Sequence, residues 1–155
     1  PAITRAFDVT VGPAAQLFVV TQPVPTTGAV VFATQPIVSV QDRGGNLVVA
    51  TSVMVHASLS NSLMLHGNAS RSTVSGMANF TNLHVNEAGS HLLLFTSSTL
   101  LPTASIPFNV GVGPAYALRV VVAARGSTGG LPFATQPVID TVDMGGNRAT
   151  ATDHT

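Results

Sequence analysis

The strongest constraint on this chain is that it repeats itself at a single offset. Phe7-Asp8-Val9 returns as Phe108-Asn109-Val110, and Gly12-Pro13-Ala14 returns as Gly113-Pro114-Ala115. Phe32-Ala33-Thr34-Gln35-Pro36 returns unchanged as Phe133-Ala134-Thr135-Gln136-Pro137, and Gly44-Gly45-Asn46 returns as Gly145-Gly146-Asn147. Every landmark lies 101 positions from its copy, with no net insertion or deletion. A constant offset across the chain identifies tandem copies of one unit. Such architectures build length and surface, and a period near 100 residues is far longer than that of any helical repeat.

The repeat sets the boundaries. Residues 1–11 match the last strand of a preceding unit, residues 12–112 form one complete unit, and residues 113–155 match only the first strands of a following one. A partial sheet standing alone leaves unpaired strand edges and an open core, which sheet proteins avoid. The expectation is therefore that neighbouring chains complete the two ends, or that the chain belongs to a longer protein.

Short apolar blocks broken by Thr, Ser, Pro and Gly dominate the unit, and no segment sustains the i, i+3, i+4 pattern of a helix. Residues 17–20, 29–32, 37–41, 47–49, 53–59, 63–66, 71–74, 77–85, 91–95 and 105–112 read as strands. Turns are expected at 42–46, 67–69 and 87–89, where Asp, Asn and Gly gather. A bulge is expected near Asn82. Pro23 and Pro25 bar residues 21–25 from a central strand. Many short strands with turn signals between them predict an all-β antiparallel sandwich.

Composition narrows the function. The chain is 45% apolar and 8% charged, its six basic residues are all arginine, and its net charge is zero. Typical domains carry about 25% charged residues. No broad basic footprint exists for a nucleic acid, and a near-neutral surface favours association. No apolar run reaches the roughly 18 residues of a membrane-spanning helix. There is no cysteine, so no disulfide stabilises the fold.

The pattern Gly12-Pro13-Ala14, Leu17, Gln22-Pro23, Phe32-Ala33-Thr34-Gln35-Pro36, Val38, Val40, Asp42, Gly45-Asn46, then Gly76, Ala78, Phe80, Leu83, Ala88-Gly89, Leu93, Ser105, Phe108, Val110 resembles the tandem immunoglobulin-like repeats of large extracellular surface proteins, the bacterial adhesin type among them. The resemblance covers the complete unit. It implies tandem immunoglobulin-like antiparallel β-sandwich modules, one complete and two partial. In such repeats the position of His91 is commonly tyrosine, whose hydroxyl ties a corner; an imidazole N–H can donate to a backbone carbonyl in the same place. In the following copy Thr141 stands where Val40 does, which weakens the alternation of that strand and its register.

Candidate sites follow from these placements. The five histidines His56, His66, His84, His91 and His154 include no pair at i, i+2 or i, i+4 spacing, so they read as four surface or edge residues and one corner residue, His91. Asp42 with Asn46, and Asp143 with Asn147, offer fewer oxygens than the 6–8 that calcium takes, and read as turn residues. No nucleophile elbow or similar catalytic setting is present, and neither a metal nor another cofactor is expected. Asn68-Ala69-Ser70 and Asn79-Phe80-Thr81 are sequons, so Asn68 and Asn79 are glycosylation candidates in a secreted eukaryotic protein. The Thr- and Pro-rich stretch 21–27 is a weaker O-glycan candidate. If Val55, Ala57, Leu59, His91, Leu93 and Phe95 point inward, then Met54, Leu92 and Leu94 form an exposed apolar patch, a candidate interface. Gly12, Pro13, Gly113 and Pro114 mark the inter-module joints, where proline limits the backbone.

Together these features lead to an expected structural role. The chain reads as a non-enzymatic repeat module of an extracellular or cell-surface stalk, filament or appendage. Its expected partners are neighbouring modules, identical chains and glycans, with neither nucleic acid nor a membrane span in this segment. An adhesin or carbohydrate-binding module is the first alternative, although the chain holds no Trp and one Tyr. A spacer within a large secreted enzyme is the second.

Overall fold

A computed structural model of the chain describes residues 6–149. The fold is all-β, with no helix among the described residues. Its strands are β1 (Gln16–Thr21), β2 (Ile37–Gln41), β3 (Met54–Leu59), β4 (Ser70–Ser72), β5 (Met77–Asn79), β6 (Gly89–His91), β7 (Leu93–Thr96), β8 (Thr103–Ala104), β9 (Phe108–Val110), β10 (Ala117–Val122) and β11 (Val138–Val142).

Two antiparallel sheets form the sandwich-like body. One runs β1-β2-β5 and the other β4-β3-β7-β8, while β6 pairs with β9. Period-2 patterning drives the packing. Leu17 and Val19 of β1 and Val38 and Val40 of β2 are buried opposite Val55, Ala57 and Leu59 of β3 and Leu93 and Phe95 of β7. Phe80 and Phe95 meet at 5.6 Å between ring centroids, and Phe32 meets Phe108 edge-on at 5.4 Å. The core cluster draws only on residues between Leu17 and Val110. Burying each large apolar side chain contributes about 1.5–3 kcal/mol, so the complete unit holds its own core.

Several expected strands are shorter or broken, for physical reasons. The 91–95 and 105–112 strands form one long hairpin split into β6–β9 and β7–β8. The break sits where Pro107 has no N–H to give, where the Leu93 N–H turns to the Ser105 hydroxyl at 3.0 Å, and where the Ile106 N–H turns to Gln22 Oε1 at 3.0 Å. The 77–85 strand ends at Asn79. Beyond it, the Leu83 N–H donates to Gln35 Oε1 at 2.9 Å and Gln35 Nε2 donates to the Leu83 carbonyl at 3.1 Å. The side-chain amide of Gln35 thus stands in for a ladder pair beside Pro36. Residues 29–32 make no strand: Val30 N–H closes a turn on the Thr27 carbonyl at 3.1 Å, with Ala29 in the left-handed region at φ 63°. The 63–66 and 47–49 segments contribute only the isolated bridges His66 to His84 and Leu47 to Gln41. The strand expected at 71–74 is Ser70–Ser72.

The β10–β11 hairpin repeats β1–β2 in detail. Leu17 pairs with Val40 and Leu118 with Thr141; the ladder irregularity between Val19 and Thr21 recurs between Val120 and Val122. The register around Thr141 therefore holds despite the lost alternation, and the Thr141 hydroxyl is itself satisfied by donating to the Ala149 carbonyl at 2.7 Å. The environments differ sharply: Leu17, Val19 and Val38 are 4%, 6% and 0% exposed, whereas Leu118, Val120 and Ile139 are 72%, 61% and 54% exposed. Of residues 1–11, residues 1–5 lie outside the described residues; 6–11 form no strand, and Phe7 and Val9 are exposed.

Candidate assembly joint

The two Gly-Pro segments are each tied to an aspartate turn. Asp42 follows β2. Its Oδ1 accepts the N–H groups of Gly44 and Asn46, both at 2.9 Å. Its Oδ2 accepts the Gly12 N–H at 2.8 Å, and Asn46 Nδ2 donates to both oxygens at 3.2 and 3.0 Å. The Asn46 amide, with the N–H groups of Gly12, Asn46 and Gly44, holds the carboxyl down at a pKa of about 2, because each bond favours the charged form. Every partner is an N–H donor, so the turn saturates the carboxylate and presents no ring of oxygens to a cation. Gly45, with φ 84°, makes the reversal that a side chain would strain.

The second turn repeats this set. Asp143 Oδ2 accepts the Gly113 N–H at 2.8 Å and Oδ1 the Asn147 N–H at 2.8 Å, while Asn147 Nδ2 donates to both at 3.1 and 3.0 Å. Burial pushes the Asp143 carboxyl up, but the Gly113 N–H and the Asn147 bonds outweigh it and hold the group below its usual range.

At this second turn the structure adds something the first lacks. Asn147 Nδ2 also donates to the Asn86 carbonyl at 2.6 Å, and Asn147 Oδ1 accepts the Ala88 N–H at 2.8 Å. One amide therefore clamps the hairpin onto the end of the preceding sandwich. The approach is close: a Cβ on Gly145 would lie 2.2 Å from the Asn86 carbonyl oxygen, and one on Gly28 would lie 2.4 Å from Asn147 Nδ2. Sequence reasoning identified the Gly-Pro segments and the aspartate turns but missed Gly28, Asn86, Ala88 and the outward role of Asn147. The available signal was the return of Gly28 as Gly129 and of Asn46 as Asn147.

The other expected site residues are dispersed. His91 is buried; its Nε2–H donates to the Glu87 carbonyl at 2.8 Å, and its Nδ1 accepts from Asn61 Nδ2 at 3.3 Å. His66 and His84, unrelated by sequence spacing, are brought together across an antiparallel bridge, with rings stacked at 5.1 Å and 14°. No sequence spacing pairs these two histidines; strand pairing sets distances that sequence separation does not. His56 bonds the Ser70 hydroxyl at 2.8 Å, and His154 lies outside the described residues. Among the described residues, no group of three or more His, Cys, Asp or Glu gathers.

Asn68 is exposed in its turn, its backbone N–H donating to Asn82 Oδ1 at 2.8 Å. Asn79 is exposed on β5, and Thr81 of its sequon accepts from Arg71. Met54 and Leu94 are exposed on the outer face of the β3–β7 pair, but Leu94 faces Ser58 and Thr96 faces His56. Met54 lies four positions along β3 from Ser58, with His56 between them, and Leu92 is half-buried at the β6–β7 break. Met54 therefore stands apart from Leu92 and Leu94, because the register places His56, Ser58 and Thr96 between it and the leucines.

No protein-family model and no curated protein matches this chain. No helix among the described residues is long and apolar enough to cross a membrane.

Proposed function

We propose that the chain is a structural repeat module of an extracellular stalk, filament or surface appendage, assembling by module-to-module docking. The single observation that carries this is the recurrence of one hairpin and one aspartate turn at an offset of 101 residues, with the second turn clamped onto the end of the first sandwich through Asn147. The strand orders β1-β2-β5 and β4-β3-β7-β8 support an immunoglobulin-like assignment for each module. The second hairpin, with Leu118, Val120 and Ile139 exposed, has the character of the first sheet of a following module. A joint held by one carboxylate and one amide restricts the angle between successive modules, which suits mechanical reach. The role is non-catalytic, and exposed Asn68 and Asn79 are the positions where glycans would attach.

The test is microscopy of the native material. Immunogold labelling with antibody to this chain, together with negative-stain images of the purified native protein, is expected to reveal beaded rods outside the cell. Label confined to the cell interior, or compact single particles, overturns the proposal.

A further inference from the structure

The two aspartate turns are the same object in two states of occupancy. Inside each, the carboxylate, the glycine N–H and the asparagine amide are arranged alike, with Asn46 Nδ2 at 3.0 and 3.2 Å and Asn147 Nδ2 at 3.0 and 3.1 Å from their aspartate oxygens. Outside, they differ. Asn147 and Gly145 are half-buried against Asn86, Ala88 and Gly28, whereas Asn46 and Gly44 are exposed. A cleft of about 960 Å³ opens beside the exposed turn, lined among others by Val9, Pro13, Asp42, Asn46 and Leu101.

Gly44 sharpens the comparison. A Cβ there would meet only its own turn, Asn46 Nδ2 at 3.1 Å and Asp42 Oδ1 at 3.4 Å, and its φ is not positive. Its counterpart Gly145 must lack a side chain because a foreign carbonyl occupies that space. The first turn therefore carries the same glycine and amide with none of the described residues docked on them.

We propose that the 42–46 turn is a docking site for a module of this same fold lying immediately N-terminal to it, whose last strand is the segment containing Phe7 and Val9. Asn46 clamps the loop of that module equivalent to Asn86 and Ala88, and Gly44 packs against its equivalent of Gly28. The occupant is identified by connectivity as well as shape. Phe7-Asp8-Val9 precedes Gly12 at the spacing at which Phe108-Asn109-Val110 precedes Gly113, and the Gly12 and Gly113 N–H groups meet their aspartates alike. A second identical chain is the poorer fit, because its own Asn86 and Ala88 are already held by its Asn147. The proposal rests on the modular reading above and names the contact that reading requires.

The test extends the chain by one unit, replacing residues 1–11 with a second copy of residues 12–112, a stretch whose core is self-contained. Amide exchange by NMR is read at Ala88 of the leading copy, at the Asn46 side chain of the following one, and at Leu93 in the core of each. The expected result is a folded leading copy whose Ala88 exchanges about tenfold slower than after Asn46→Ala, as the loss of one hydrogen bond implies. Gly44→Ala is expected to abolish that protection in the extended protein while leaving the exchange of the Leu93 amide in the unextended chain at its wild-type rate. A folded leading copy with unprotected Ala88, alongside a protected Ala88–Asn147 pair in the same molecule, overturns the docking site and spares the modular reading. A leading copy whose Leu93 amide exchanges freely overturns both.

Discussion

Replacing Gln35 with leucine removes a side chain that acts as backbone. The Gln35 amide receives the Leu83 N–H at 2.9 Å and donates to the carbonyls of Leu83 and Phe32 at 3.1 and 3.3 Å. Leu83 is fully buried, so no water replaces the lost acceptor. The Leu83 carbonyl keeps the Phe32 N–H at 3.0 Å; its own N–H is left without a partner. An orphaned buried donor costs about 1–3 kcal/mol, and the two lost donations bring the expected destabilisation to about 2–3 kcal/mol. For a unit near 100 residues this corresponds to a fall in Tm of roughly 10–20 °C. The chain supplies its own control. Gln136 occupies the same motif, is exposed, and reaches only the Phe133 carbonyl at 3.1 Å. Gln136→Leu is expected to change stability by less than about 0.5 kcal/mol. Calorimetry and urea denaturation followed by circular dichroism measure both variants, and Leu83 amide exchange reports the site directly. Equal effects at the two positions, or an unchanged Leu83 exchange rate in Gln35→Leu, refute the reasoning.

Three further outcomes are expected. His91→Phe keeps the ring in the corner but removes the donor to the Glu87 carbonyl, while the exposed Asn61 amide turns to water, costing about 1 kcal/mol; nitrogen NMR of the wild-type chain is expected to find the proton on Nε2, and an Nδ1–H tautomer contradicts the assignment. Ser105→Ala orphans the buried Leu93 N–H at the break in the hairpin, with a cost of about 1–3 kcal/mol by urea titration that Ser105→Thr largely avoids. Stability contributed by Asp42, whose carboxyl falls from 3.8 to about 2 on folding, is present above pH 4 and is lost as pH falls through 2. Asp143 shifts in the same direction. Acid unfolding curves of Asp42→Asn are expected to be flatter across that window than wild type, and identical curves exclude the carboxylate as a contributor.

Some of this was legible residue by residue. The aspartate turns are closed by bonds spanning two to four residues, so local chemistry alone specifies them. The burial of Val55, Ala57, Leu59, Leu93 and Phe95 follows from alternation, which a strand translates directly into faces. The offset of 101 residues required no structure at all, and it anticipated that β10–β11 would repeat the pairing of β1–β2.

What the tertiary structure alone decided are the contacts between distant segments. Gln35 meets Leu83 across 48 positions and Asn147 meets Asn86 across 61; His66 stacks on His84 because a bridge aligns them; Met54 and Leu94 stand apart because of register. A side chain's partner across a sheet or a joint depends on how strands are aligned, and alignment is a property of the whole packed core. The sequence therefore determined the unit, its length and its turns, while packing determined which amide fills a gap in a ladder and which one holds two bodies together.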